Sequence, residues 1–186
     1  MGELVGPRRH RPVLGTAGVL LFVCMFLPAM KGCGTTPLSP VDVPPFLPPY
    51  LFGLVLAVIA ATRSSRALLA GVIAVRFLAT AVAFVGFLVF LVAPSVGVVE
   101  LTVGLVLLSA IGVRGVSELR LAGSAALIGA LCTAWFGLWT SSADALYGVH
   151  LSLASSLGLF VGGGIWLAEV LAQPGPVVPR AVVRRR

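Results

Sequence analysis

Residues 63–120 read RSSRALLAGVIAVRFLATAVAFVGFLVFLVAPSVGVVELTVGLVLLSAIGVRGVSELR. Arginines stand at both ends of this stretch, Arg63 and Arg66 before it and Arg114 and Arg120 after it. Two long apolar runs lie between them, divided at Pro94 and Ser95. An apolar run of about 20 residues, rising 1.5 Å per residue as a helix, covers the roughly 30 Å hydrocarbon core of a bilayer. Two such crossings return the chain to the side it left, so both basic gaps face the same water, and basic gaps stay cytoplasmic.

Working outward from this hairpin, the same alternation gives six apolar segments: 13–30, 49–62, 67–93, 96–113, 121–140 and 149–172. With the amino terminus in the cytoplasm, the inner side collects Arg8, Arg9, Arg11, Arg63, Arg66, Arg114, Arg120, Arg180, Arg184, Arg185 and Arg186. The outer side collects Lys31 alone, and Arg76 falls within a span. The reverse orientation puts almost every basic residue on the wrong side. The expected fold class is therefore all-α: a polytopic transmembrane helix bundle with six predicted spans and both termini cytoplasmic. Residues 1–12 form a basic amino-terminal segment, 13–172 the membrane domain and 173–186 a basic cytoplasmic tail. The charge logic suits a bacterial plasma (inner) membrane, with the lipid bilayer as the first partner.

Composition agrees. Apolar residues make up 59% of the chain and charged residues only 10%, where soluble domains carry about 25% charged. The mean hydropathy is +1.09. The net charge of +7 does not point to nucleic acid, because the basic residues lie at span ends without aromatic interleaving. Trp135, Trp139, Tyr147 and Tyr50 fall near the outer ends of their spans, as an aromatic belt does.

Two spans have unequal lengths. Segment 49–62 rises only about 21 Å and segment 67–93 about 40 Å, so the bundle is expected to be uneven. The outer loop 31–48 is rich in proline, which predicts extended chain without regular helix, with Phe46 and Leu47 dipping into the interface.

Polar residues inside apolar runs are the functional candidates. Arg76 leads, with Val72, Thr80, Ala83 and Phe84 on its helical face; an unpaired guanidinium at mid-bilayer costs at least ~2.5 kcal/mol. Snorkelling or a structural pairing is the plain reading, and ion, proton or anionic-substrate handling the sharper one. Glu100 lies one turn into the fourth span, where a carboxylate complements the helix dipole. About 25 Å of rise separates Arg76 from the outer end of its helix, which strains a pairing of the two. His150 and Glu169 sit at opposite ends of the last span and read as solvated interfacial groups.

Small residues recur every fourth position: Ala154, Gly158 and Gly162 in the last span, and Ala125, Gly129, Thr133 and Gly137 in the fifth. In lipid, such faces associate through close van der Waals contact. Packing of the fifth helix on the sixth is expected, with a homo- or hetero-oligomer seam as the alternative. The run Gly162, Gly163, Gly164 predicts a kink or a tight crossing.

Chemistry is otherwise sparse. Cys24 and Cys132 lie in apolar runs, and Cys33 is the one cysteine in a polar loop, a lipidation site only if the first segment were a cleaved signal. No metal, nucleotide, haem or protease motif is present, and no cofactor is expected. Three function classes remain. A structural or accessory subunit of a membrane assembly ranks first. A small transporter or channel subunit using Arg76 and Glu100 along a polar path is second. A membrane-embedded enzyme is last, because His150, Asp144 and Cys33 lack evident catalytic partners.

Overall fold

The computed structural model describes residues 9–32, 36–43, 46–61, 65–92, 94–111 and 118–172. Among these the chain forms α1 (His10–Cys24), a hairpin of β1 (Met30–Lys31) and β2 (Pro37–Leu38), a 3₁₀ turn (Pro40–Asp42), α2 (Pro48–Ala61), α3 (Ser65–Val92), α4 (Pro94–Ile111), α5 (Glu118–Thr140) and α6 (Tyr147–Leu171). Among the described residues, three helical segments are long and apolar enough to cross a bilayer: Ala70–Leu88 within α3, all of α5 and all of α6. The uneven lengths are as expected, with 14 residues in α2 and 28 in α3, about 42 Å of rise for the latter.

Boundaries differ from expectation where proline intervenes. The first apolar run was expected to be helical through residue 30, but α1 ends at Cys24. Met25, Phe26 and Leu27 donate to carbonyls three residues back, at 3.1 Å each, the tightened last turn that closes many helices. Pro28 then drives the residue before it out of the helical region. The second helix begins at Pro48, one residue early, because adjacent prolines in a first turn lose no hydrogen bond and carry a helical φ already. The fifth and sixth helices likewise start at Glu118 and Tyr147, ahead of the expected 121 and 149.

The helices run up and down in a ring. Each packs on its sequence neighbours, α1 closes the circle on α6, and α2 touches α5 across it. The antiparallel sense of α1 and α2 shows in paired contacts, Gly15 facing Ala60 and Gly18 facing Gly53, and Gly104 of α4 faces Ala83 of α3. Leu14, Leu21, Leu56, Ile128 and Leu159, each 0–1% exposed, form the centre shared by α1, α2, α5 and α6. The α3–α4 hairpin joins that core through α2 and α5. Ile73, Phe77, Phe84 and Leu91 leave a stripe of α3 bare, with Phe77 76% exposed.

The small-residue rows act within the chain, with a changed pairing. Gly158 and Gly162 were expected to seat α5. They instead face Ala17 and Leu14 of α1, while Ala154 is exposed. The α5–α6 seam is made by Gly129 against the backbone of Phe160 and by Gly163 against that of Ala126. Gly162 and Gly163 therefore serve opposite neighbours, and the glycine run is a double tight crossing. Successive residues lie 100° apart around a helix, so one row cannot face both α1 and α5.

The described part of the loop expected to be extended and irregular is a bonded cap. Ala29 donates to Leu38 (2.8 Å), Lys31 to Asp144 (3.0 Å), Leu146 to Ala29 (2.9 Å) and Gly148 to Pro28 (3.0 Å). Residues 28–31 thus lie between β2 and the α5–α6 connection, with the Pro28 carbonyl, both backbone groups of Ala29 and the Lys31 amide bonded to protein. Ser39 and Asp42 cap the 3₁₀ turn, the Ser39 hydroxyl donating to Asp42 Oδ2 at 2.6 Å and its amide at 3.0 Å.

Those bonds hold the Asp42 carboxyl below its ordinary value of 3.8, the Ser39 hydroxyl being the main cause and its amide the second. A depressed carboxylate favours the folded turn above the unfolded value and ceases to as pH falls through the folded one. The Ser39 amide resonance is therefore expected to stay constant at neutral pH and to move only in acid, below about pH 4. A shift centred near neutrality would contradict the cap.

Candidate functional site

At the pole that carries this cap, the elements enclose a partly open cavity of about 290 Å³. Its walls are Ala29–Gly32 of the strap, Ser39 and Val43 beside the 3₁₀ turn, and the aromatic ends of α2 and α5. Trp135, Phe136 and Trp139 recur at i, i+1 and i+4 on the last turns of α5, so the two indoles share a face one turn apart. Their rings meet at 5.9 Å with an interplanar angle of 66°. Phe46 closes over them at 5.3 Å from Trp139 and 6.1 Å from Trp135. It packs on the aromatic rings of α5.

The floor is tighter. Tyr50, 2% exposed, rests its ring 5.4 Å from that of Phe136, and its hydroxyl lies 3.3 Å from Ser152 Oγ of α6. Ser152 in turn donates to the Gly148 carbonyl at 2.7 Å. Burial of a tyrosine requires such a partner for its hydroxyl, and here the bond ties α2 to α6 below the cavity. The Trp135 indole N–H is buried with no acceptor among the described residues. On the rim, the exposed Lys31 has no carboxylate within the 4.0 Å of an ion pair among them.

The opposite pole holds a second polar cluster. His10, 3% exposed, stacks on Trp166 at 4.9 Å and 9° and places Nδ1 2.5 Å from Glu169 Oε2. The Arg9 amide donates to Glu169 Oε1 at 2.8 Å, and the Trp166 indole donates to Glu118 at 3.2 Å. Because α1 has no acidic residue in its first turn and no side-chain cap of its own, the carboxylate of α6 supplies both. It accepts an orphan amide and sets a negative charge at the positive end of the helix dipole. Glu169, expected to be a solvated interfacial group, is thus a tertiary cap. His150 is exposed at the start of α6, as expected.

Arg76 is half-buried midway along α3, its carbonyl accepting from Thr80 Oγ1 at 2.9 Å. Glu100 lies on α4, but its side chain, and with it the question of a pairing with Arg76, falls outside the described residues, as does Cys33. Thr133 donates to the Gly129 carbonyl at 2.8 Å and lies 3.3 Å from Ser156 Oγ, across the seam that Ala125 and Gly129 begin. A methyl added at Gly137 would meet nothing within 4 Å. Among the described residues no three His, Cys, Asp or Glu side chains converge to hold a metal.

The belt reading found Trp135, Trp139 and Tyr50 but missed Phe136 and the cavity, because enclosure depends on where the proline-rich segment folds back. His10 was missed altogether. The available signal was topological, since His10, Glu118 and Glu169 all end spans on the side where the charges collect. Compared with family models, curated proteins and solved structures, the chain matches none.

Proposed function

We propose that this chain is a six-span protein of a plasma membrane, with both termini cytoplasmic, and that it serves as a structural or accessory subunit of a membrane assembly. The observation that carries this reading is the close packing of the described core shared by α1, α2, α5 and α6. Three of the four described buried polar side chains of the core helices α5 and α6, Ser124, Ser152 and Ser156, turn their hydroxyls to carbonyls of their own helices, and the fourth is Ser155. The space around them is filled by backbone-close packing. A chain built to conduct needs a wet or polar path, and this core supplies close packing instead.

The six-span reading is supported by the antiparallel ring, which sets Arg9, Arg11 and Arg120 at one pole and the tryptophans of α5 at the other. The short α1 and α2 rise only about 21–23 Å. The hydrogen-bonded cap extends them, because backbone paired to protein tolerates the edge of the bilayer where open loop does not.

A second reading, a transporter or channel subunit, is favoured by the position of Arg76 halfway along α3 and by Glu100 on the adjoining helix. Vesicles loaded with a pH- or ion-sensitive dye separate the two. The accessory reading expects no flux in either wild type or Arg76→Ala, and flux abolished by that substitution in folded protein would replace it. For topology, a phosphatase fused after Asp144 is expected to be active, and a reporter that folds only in cytoplasm to work after Arg186. The opposite pair of results would overturn the orientation.

A further inference from the structure

The aromatic cavity has no part in the reading above, and its chemistry is specific. At about 30 Å³ for each water-sized group, its 290 Å³ accommodates about ten methylenes. Its walls are mostly carbon, which favours a hydrocarbon occupant over water. Tryptophan and tyrosine at span ends mark the level where acyl chains meet head groups. Leu38 on the cavity wall, and Val41 and Phe26 at the same pole, are 36%, 44% and 58% exposed, apolar surface that suits the same level. Lys31 stands on the rim as the basic residue of this pole, and its own amide is bonded to the carbonyl of the exposed Asp144.

We propose that the cavity binds one acyl chain of a phospholipid from the adjoining leaflet, with the phosphate at Lys31. The exposed carboxylates of Asp42 and Asp144 at this pole disfavour a purely anionic head group. A phosphate that carries its own ammonium, as in phosphatidylethanolamine, meets both signs of charge. The proposal rests on the membrane placement argued above, which the reporter fusions test separately.

The test uses the full chain reconstituted in vesicles of equal phosphatidylethanolamine and phosphatidylglycerol, recovered in mild detergent, with retained lipid counted by mass spectrometry. Wild type is expected to retain phosphatidylethanolamine severalfold over phosphatidylglycerol. Val43→Trp, which fills the cavity, is expected to retain about tenfold less, equivalent to roughly 1.4 kcal/mol of affinity. Lys31→Glu is expected to lose the retained lipid while keeping its helical content. Equal retention by wild type and Val43→Trp would overturn the site, and retention of phosphatidylglycerol instead would overturn the head-group assignment. Should Val43→Trp not fold, a photoactivatable acyl chain on wild type decides. Labelling within residues 29–32 or 135–139 supports the site, whereas labelling elsewhere, or a bound polypeptide in place of lipid, refutes it.

Discussion

Gly129→Ala is expected to destabilise the bundle by about 2 kcal/mol, whereas Gly137→Ala, two turns along the same row of α5, is expected to be neutral or stabilising by up to about 1 kcal/mol. The difference is steric. A methyl on Gly129 would stand 2.5 Å from the Phe160 Cα and 2.8 Å from the Leu159 carbonyl carbon, both backbone of α6. Backbone cannot rotate aside as a side chain can, so the helices must separate, and overpacking of this kind costs roughly 1–3 kcal/mol. Separation also weakens the reverse contact, because Gly163 meets Ala126 in the same seam. A methyl added at Gly137 would meet nothing within 4 Å, so the change only removes glycine's entropy cost in a helix. Unfolding in mixed micelles measures both variants. Equal effects at the two positions would show that the α5–α6 crossing is not as drawn.

Glu169→Ala is expected to cost about 2 kcal/mol and to fray the first turn of α1 without disturbing the far pole. Two bonds to a charged acceptor are lost, one from the Arg9 amide and one from His10. Bonds of that type contribute roughly 1.5–3 kcal/mol. The lower part of that range applies because the Glu169 side chain is 28% exposed and water replaces part of what is lost. Glu169→Gln keeps an acceptor for the amide and is expected to recover about half the loss. Hydrogen exchange at the amides of residues 9–12 reads the local effect. Unchanged protection in Glu169→Ala would refute the tertiary cap.

These two sites show how unevenly the chain could be read in advance. The α5 row was legible because a four-residue spacing of small residues is a local pattern with a direct packing meaning. Which members of it are occupied was not, since Gly129 and Gly137 look alike in sequence and differ only in what faces them. The α6 row was legible as a seam, yet its partner proved to be α1, because the choice between neighbours depends on helix rotation. The Glu169 cap joins residues 160 apart and leaves no local trace, since Glu169 alone is an ordinary polar residue at a span end.

The sequence by itself determined that this chain builds apolar helices at these places, separated by gaps that gather arginine, because hydropathy and the placement of charge act within single segments. Tertiary structure alone decided that α6 sits between α1 and α5, that the proline-rich loop folds into a bonded cap, and that Phe46 and the tryptophans of α5 enclose a cavity with Lys31 on its rim. Those outcomes depend on which faces of separate elements meet, and neither the spacing of residues along one helix nor the composition of one loop contains that information.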